Sequence, residues 1–278
     1  MAATPQYEIG SPEQGPAEPV VAFSHVSIGF DGKPVLEDIS FTVAPGETRI
    51  LLGPAGSGKS VLLKLANRLL CPDRGSIAVF GREIGSAPEK EIFPLRHRIG
   101  MVFQEGALFD SLSVRDNVGF RLMEERRPAE EVTARVTEAL RFVEMEQTLD
   151  RIPSELSGGM RRRVAIARAI ITRPDLLLYD SPTGGLDPIT STTIVELIMK
   201  QRDISGASSL LVTHRLQDAF TLATHTFDGE KKHMVPIPGG GVHPRTTFLI
   251  LHGSRLVFDG PTMDLVESND PFLKEFLS

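Results

Sequence analysis

Residues Gly53-Pro54-Ala55-Gly56-Ser57-Gly58-Lys59-Ser60 read G-x-x-x-x-G-K-S, and their surroundings constrain the fold more than the match itself. They follow the strand-like run Arg49-Ile50-Leu51-Leu52 and lead directly into a helix-like run from Val61 to Leu70. A glycine-rich turn between strand and helix aims several backbone N–H groups and the positive end of a helix dipole at one point, which suits a polyphosphate. In such a loop Lys59 reaches the β- and γ-phosphates as a point charge, and Ser60 offers its hydroxyl to Mg²⁺. The segment therefore predicts an α/β core that binds a nucleoside triphosphate.

Composition bounds the classes that remain. With 278 residues, 41% of them hydrophobic, the chain has enough apolar mass for one large core or a core with a lobe. A net charge of −6 leaves no global basic field to recruit nucleic acid. The single cysteine, Cys71, has no internal disulfide partner. Met1 to Pro19 holds four prolines, no Lys or Arg and no apolar run, which reads as a disordered acidic arm (1–19) rather than a targeting segment. No stretch approaches the roughly 18 apolar residues needed to span a bilayer. A cytoplasmic chain is expected.

Along the chain the punctuation is α/β, without internal repeats. Val20 to Phe30 and Ile39 to Val43 alternate like strands, with a turn expected at Asp31-Gly32-Lys33-Pro34. Strands are also expected at Ser76 to Phe80 and within Arg98 to Gln104. Val132, Val136, Leu140 and Val143 recur at helical spacing, so Ser113 to about Leu149 reads as a helical insert. Leu176 to Tyr179 and Ser209 to Val212 are continuous apolar runs of the kind found in parallel strands covered on both faces, with a helix from Pro188 to about Arg202 between them.

Two features add chemistry to this frame. Asp180 closes the run Leu176-Leu177-Leu178-Tyr179, and a carboxylate at the tip of a buried strand beside the phosphate loop is placed to hold Mg²⁺. Ser157-Gly158-Gly159, ahead of a helical run, forms a second anion-binding helix N-terminus or an ordinary cap. The phosphate loop, Leu156-Ser157-Gly158-Gly159-Met160, the run ending in Asp180, Gly185-Leu186-Asp187 and Thr213-His214 together resemble ATP-binding cassette (ABC) ATPases in order and spacing, from Val20 to Leu277. The resemblance implies one domain over 20–278. Its fold would be that of a P-loop NTPase: a RecA-like parallel-sheet core, an antiparallel β subdomain and a helical, signature-bearing subdomain near 105–168.

The resemblance also implies roles for residues. Gly53, Pro54, Ala55, Gly56, Ser57, Gly58, Lys59 and Ser60 hold the ATP phosphates. Phe30 matches the aromatic that stacks on adenine, a core phenylalanine being the competing reading. Gln104 matches the glutamine that touches Mg²⁺ and the attacking water, so Ser60, Gln104 and Asp180 form the metal set. Ser157, Gly158 and Gly159 match the signature that closes over ATP bound to a second copy of the chain. Asp187 matches the residue linking the two sites of that homodimer, and His214 the γ-phosphate contact. One position departs. The family carries Glu after the magnesium Asp, and here Ser181 stands in that place. A serine hydroxyl is no general base near neutral pH. Either hydrolysis persists slowly through Gln104, His214 and positioning, or the chain is an ATP-gated switch.

Within the family the likeness is greatest to ATPases of MCE-associated (Mla-type) lipid transporters, on Gln104 to Val114, on Leu156 to Arg163 with Met160 at the usual Gln, and on Gly185 to Thr190. This implies a transmembrane permease, an MCE-type lipid-binding protein, and a location on the inner face of the membrane through the permease. Leu108, Phe109 and Leu112 are either a groove floor for a permease helix or core residues. The stretch 226–246 reads as an inserted hairpin or mobile loop, with Lys231-Lys232-His233 at a solvated tip or on lipid headgroups. The rival class is a soluble ABC protein without a permease.

Overall fold

Asp31 and Gly32, at φ 52° and 74°, close a hairpin between β1 (Val21–Phe30) and β2 (Lys33–Val43). Paired positive φ values give the tight turn that matches strand twist, so the expected four-residue turn shrinks to two. Pro34, read from sequence as part of the turn, is a strand residue opposite Gly29. It is tolerated because β2 is an edge strand, in the order β2-β1-β4-β5. The computed structural model describes residues 18–277; residues 1–17 of the expected arm lie outside the described residues.

The chain continues through β3 (Thr48–Leu52), α1 (Lys59–Ala66), β4 (Arg74–Val79), β5 (Arg82–Glu83), α2 (Glu89–Arg96) and β6 (Ile99–Val102). The helix expected to reach Leu70 stops at Ala66, because Asn67 leaves helical geometry and Arg68 turns left-handed at φ 52°. Then come α3 (Val114–Glu124), α4 (Ala129–Phe142), α5 (Gly158–Ile170), β7 (Leu176–Asp180), α6 (Pro188–Ser205), β8 (Ser208–Val212) and α7 (Leu216–Thr224). The chain ends with β9 (His225–Asp228), β10 (His233–Pro236), β11 (Thr246–His252), β12 (Arg255–Pro261), α8 (Thr262–Val266) and α9 (Pro271–Leu277).

The central sheet runs β12-β11-β3-β8-β7-β6, parallel throughout except for the antiparallel edge strand β12. Every residue of β3, β7 and β8 is buried. Alternate side chains serve two cores. Ile50, Leu52, Leu177, Tyr179 and Leu211 pack toward α5, α6 and the helical lobe of α3 and α4. Leu51, Leu176, Leu178, Leu210 and Val212 pack toward α1 and the antiparallel sheet. This two-sided burial is why these strands read as unbroken apolar runs. The result is the expected P-loop architecture, with the antiparallel sheet on one side of the parallel core and the helical lobe on the other.

Within the stretch 226–246 a hairpin ends at Pro236, and a short turn at Pro238–Gly240 and a loop lead from it to β11. β9 and β10 pair antiparallel, and the hairpin is tied to α6: the amide of Phe227 and the hydroxyl of Thr226 donate to Asp203, and the amide of Met234 donates to Glu196. Phe227 and Met234 pack on the core, while Lys231, Lys232 and His233 are exposed at the tip.

Candidate functional site

The parallel strands β3, β6, β7 and β8 end together, and the site is built from the turns that follow them. After β3 the chain enters the glycine loop with Gly53 at φ 154°, Gly56 at 75° and Gly58 at 97°. A Cβ on Gly53 would lie 2.4 Å from the Leu251 carbonyl oxygen, and one on Gly58 would lie 2.9 Å from Val35 Cγ1. Both positions need glycine for conformation and for space. Lys59, the first residue of α1, is buried, and its ammonium donates to the carbonyls of Gly53 (2.8 Å) and Pro54 (2.7 Å). Burial holds the Lys59 pKa below its ordinary value, against the raising influence of the Asp180 charge.

The next residue meets the tip of β7. Ser60 donates its hydroxyl to Asp180 Oδ1 at 2.9 Å, across 120 residues of sequence. The donors are a hydroxyl and a carboxylate, hard oxygen ligands that leave most of a coordination shell to waters and phosphate oxygens, as Mg²⁺ prefers. No cluster of three or more His, Cys, Asp or Glu that could hold a metal occurs among the described residues.

Ser181 is buried and stands at φ 45°, a left-handed conformation uncommon for a residue with a side chain. Its amide donates to the Val212 carbonyl of β8, and its carbonyl accepts from the Gly184 amide, 2.9 Å in each case. A Cβ placed on Gly184 would lie 3.5 Å from Ser181 Cβ and 3.7 Å from Gln104 Cγ. Gln104 and Ser181 therefore face the same small space. Gln104 lies in the turn after β6 rather than inside the strand, which ends at Val102. His214 likewise sits two residues past the end of β8, exposed, in a turn where the Arg215 amide donates to the Thr213 hydroxyl.

The second set of motif residues lies at the N-termini of α5 and α6. Ser157 is the N-cap of α5 and accepts from the Met160 amide. Asp187 is the N-cap of α6, accepting from the Thr190 amide and hydroxyl, which hold its carboxyl below the usual range. The two ends touch: a Cβ on Gly159 would come within 2.4 Å of Thr190 Cγ2. Ser157 and Asp187 are exposed, and the N-terminal end of α6 is tied to the residue after His214 through Arg215, whose guanidinium donates to the Leu186 carbonyl and the Ser191 hydroxyl. Phe30, the last residue of β1, is 44% exposed, which removes the core reading. Leu108 packs on the core, Leu112 is half-buried, and Phe109 is exposed against Phe120 with ring centroids 4.7 Å apart.

One residue of this site escapes a linear reading. Arg162, within Arg161-Arg162-Arg163, is 5% exposed and donates to the Phe103 carbonyl (2.9 Å) and the Gly184 carbonyl (3.2 Å). Its helical phase carries the signal: Ala165, Ile166 and Ala169, at three, four and seven residues on, are all buried.

A family model described as ABC transporter matches residues 36–184. Protein TRIGALACTOSYLDIACYLGLYCEROL 3, chloroplastic, of Arabidopsis thaliana is 38% identical over 265 residues, spanning 89% of this chain and 70% of that protein. The probable ribonucleotide transport ATP-binding protein mkl of Mycobacterium tuberculosis is 35% identical over 90% of this chain but only 64% of its own length. Among solved structures, the dimeric cassette MJ0796, in a post-hydrolysis state bound to ADP and Pi, superposes with a TM-score of 0.72 at 26% identity, covering 87% of this chain and 98% of that one. CbiO1 from Clostridium perfringens, part of the ABC transporter complex cbiONQ, gives a TM-score of 0.75 at 27% identity over 90% and 91% of the two chains.

Proposed function

This chain belongs to the ABC transporter family of ATP-binding proteins, and we propose that it is the subunit that couples ATP binding and slow hydrolysis to lipid movement by a separate permease. The observation that carries the reading is the meeting of Lys59, Ser60 and Asp180 at the glycine loop, with Ser60 and Asp180 2.9 Å apart. In the proposed complex the amides of Gly53 to Ser60 and the Lys59 ammonium hold the β- and γ-phosphates. Ser60, Asp180 and Gln104 hold Mg²⁺, which when bound neutralises charge developing on the phosphates. Phe30 covers the adenine.

Cleavage joins a water oxygen to the γ-phosphorus and breaks its bond to the β-bridging oxygen, releasing ADP and phosphate. Gln104 and His214 orient the water and the γ-phosphate. Ser181 offers a hydroxyl where a carboxylate would take the proton, so the proton passes to a phosphate oxygen and the step is slow. A second copy of the chain supplies Ser157, Gly158 and Gly159 over the same ATP, and Asp187 links the two sites; the dimeric relative with ADP and Pi supports this arrangement.

The permease is a transmembrane protein, and this chain lies on the cytoplasmic side against it; membership of cbiO1 in a transporter complex supports that partner. No helix among the described residues is long and apolar enough to cross a membrane. The cargo is a lipid, on two supports: the likeness of Gln104 to Val114 to Mla-type ATPases, and the relative named for trigalactosyldiacylglycerol, a glycolipid. An MCE-type lipid-binding protein completes the assembly. Ser181 supports a second reading, in which ATP closes the dimer and is rarely cleaved.

Tagged chain purified from detergent-solubilised membranes tests the proposal. It is expected to carry a multi-span permease and extractable lipid, with MgATP binding measurable by titration. Recovery only from the soluble fraction, without a membrane protein, overturns the transport reading; loss of MgATP binding would overturn the site.

A further inference from the structure

The Arg162 guanidinium is a fork between two loops that have no backbone hydrogen bond to each other. One prong holds the carbonyl of Phe103, the residue before Gln104; the other holds the carbonyl of Gly184, whose amide in turn donates to the Ser181 carbonyl. Gln104 Cγ and Ser181 Cβ both lie within 4 Å of the point where a Gly184 Cβ would stand. The two side chains that face the cleavage space are thus carried on backbones pinned to one planar cation. A guanidinium presents its donors in a rigid plane, so it fixes both the spacing and the orientation of what it grips, which an ammonium does not. The charges of Glu105 and Asp180 are close enough to offset part of the cost of burying it.

Arg162 stands five residues after Ser157 on α5, the helix whose N-terminus presents Ser157, Gly158 and Gly159. We infer that Arg162 is a positioning residue for ATP cleavage: it sets the separation of Gln104 from Ser181 and ties that separation to the helix that presents the signature. The inference rests on the proposed ATPase reading. It matters more in this chain than where a carboxylate stands at 181. Without a strong base, the rate depends on how well Gln104 and the Ser181 backbone place the water, and a misplacement of about 1 Å costs on the order of a hundredfold.

The test uses full-length dimer and compares Arg162→Lys, Arg162→Gln and Arg162→Met, each alone and combined with Ser181→Glu. MgATP affinity is measured first, and hydrolysis is expressed per nucleotide-binding site so that unfolded protein does not count. Arg162→Met is expected to lower kcat roughly 10- to 100-fold with MgATP affinity changed by about twofold or less, the pattern of a group acting on the transition state. Arg162→Lys, which keeps the charge but loses the fork, is expected to restore only part of the rate. In the Ser181→Glu background the loss is expected to be smaller, because a strong base makes the rate depend less on how Gln104 and the backbone at 181 place the water. Should Arg162→Met fail to fold, the Lys and Gln variants carry the same comparison. Equal per-site kcat in wild type and all folded variants overturns the inference while leaving the ATPase reading intact. So does an identical loss in both backgrounds. A wild-type chain and Ser181→Glu that both bind no MgATP would overturn the ATPase reading itself.

Discussion

Replacing Ser181 with Glu should raise the rate of ATP cleavage, and the structure sets the size of the rise. A positioned general base contributes about 10²- to 10⁴-fold, or roughly 2.7–5.4 kcal/mol off the barrier. Against this stand two costs. Ser181 is only 8% exposed, so two extra heavy-atom shells must find room beside Gln104 and Gly184, at about 1–3 kcal/mol if the space is tight. The new carboxylate also adjoins Asp180, whose like charge favours its protonated form, although Lys59 and Arg162 both feel the Asp180 field and offset part of that repulsion. The left-handed φ of 45° adds no new cost, since serine already bears a Cβ there. Allowing about one power of ten for these terms leaves an expected gain in kcat of roughly 10- to 1,000-fold. The assay is phosphate release at saturating MgATP, normalised to titrated sites. Ser181→Gln matches the shape without the basicity and should stay within about threefold of wild type. Turnover of Ser181→Glu that is unchanged while MgATP still binds would refute the reasoning, because position 181 would then be irrelevant to proton transfer.

Gly53→Ala puts a Cβ 2.4 Å from the Leu251 carbonyl oxygen; a loss of about 2–4 kcal/mol in chemical denaturation, with MgATP binding abolished, is expected. Asn117 is fully buried and donates to the carbonyls of Phe109, Leu112 and Ser113 while accepting from the Phe109 amide. Asn117→Ala should therefore cost about 2–4 kcal/mol and speed proteolysis near Phe109; unchanged thermal melting would contradict it. His243 accepts the Arg245 amide at Nδ1, and its pKa is lowered to about 4 by burial and by Arg202 and Arg245, against the opposing charge of Asp203. The fold favours the neutral ring, so its contribution is present above the unfolded value near 6.5 and is lost as pH falls through about 4. His243→Gln is expected to flatten the decline of stability in that window, measured by urea midpoints.

Much of the site was legible because it is written in local pattern. The glycine loop lies between a strand and a helix as expected, and Leu176 to Asp180 forms one buried strand. Ser157 and Asp187 each prove to cap the helix that follows them. What escaped was whatever depends on contacts distant in sequence. Nothing local says that β3 sits between β8 and β11, or that β2 lies at an edge and so tolerates Pro34. The strand read within Arg98 to Gln104 stops short of Gln104, which like His214 stands two residues beyond a strand, because the ladder stops at Val102 opposite Tyr179 and at Val212 opposite Asp180. Arg162 hid in a run of three arginines whose members differ only in helical phase. For 226–246, composition left a hairpin and a mobile loop equally open. The Asp203 carboxylate that decides between them lies some twenty residues upstream in another element.

The backbone at Ser181 bears on why the proposed site would bind firmly and cleave slowly. A left-handed φ on a residue with a Cβ costs on the order of 1 kcal/mol and persists only where surroundings impose it. Here they do so from both sides: the Ser181 amide is fixed to Val212, the Gly184 amide to the Ser181 carbonyl, and the Gly184 carbonyl to Arg162. None of these bonds involves the side chain at 181. Exchanging a carboxylate for a hydroxyl therefore leaves the turn, the Asp180 tip and the Ser60 contact undisturbed, and removes only basicity. Affinity for MgATP and the rate of its cleavage are separable in such a site. On that ground Ser181→Glu should change kcat while the dissociation constant for MgATP moves by no more than a few-fold; a parallel shift in both would mean that the side chain at 181 also shapes the binding loop.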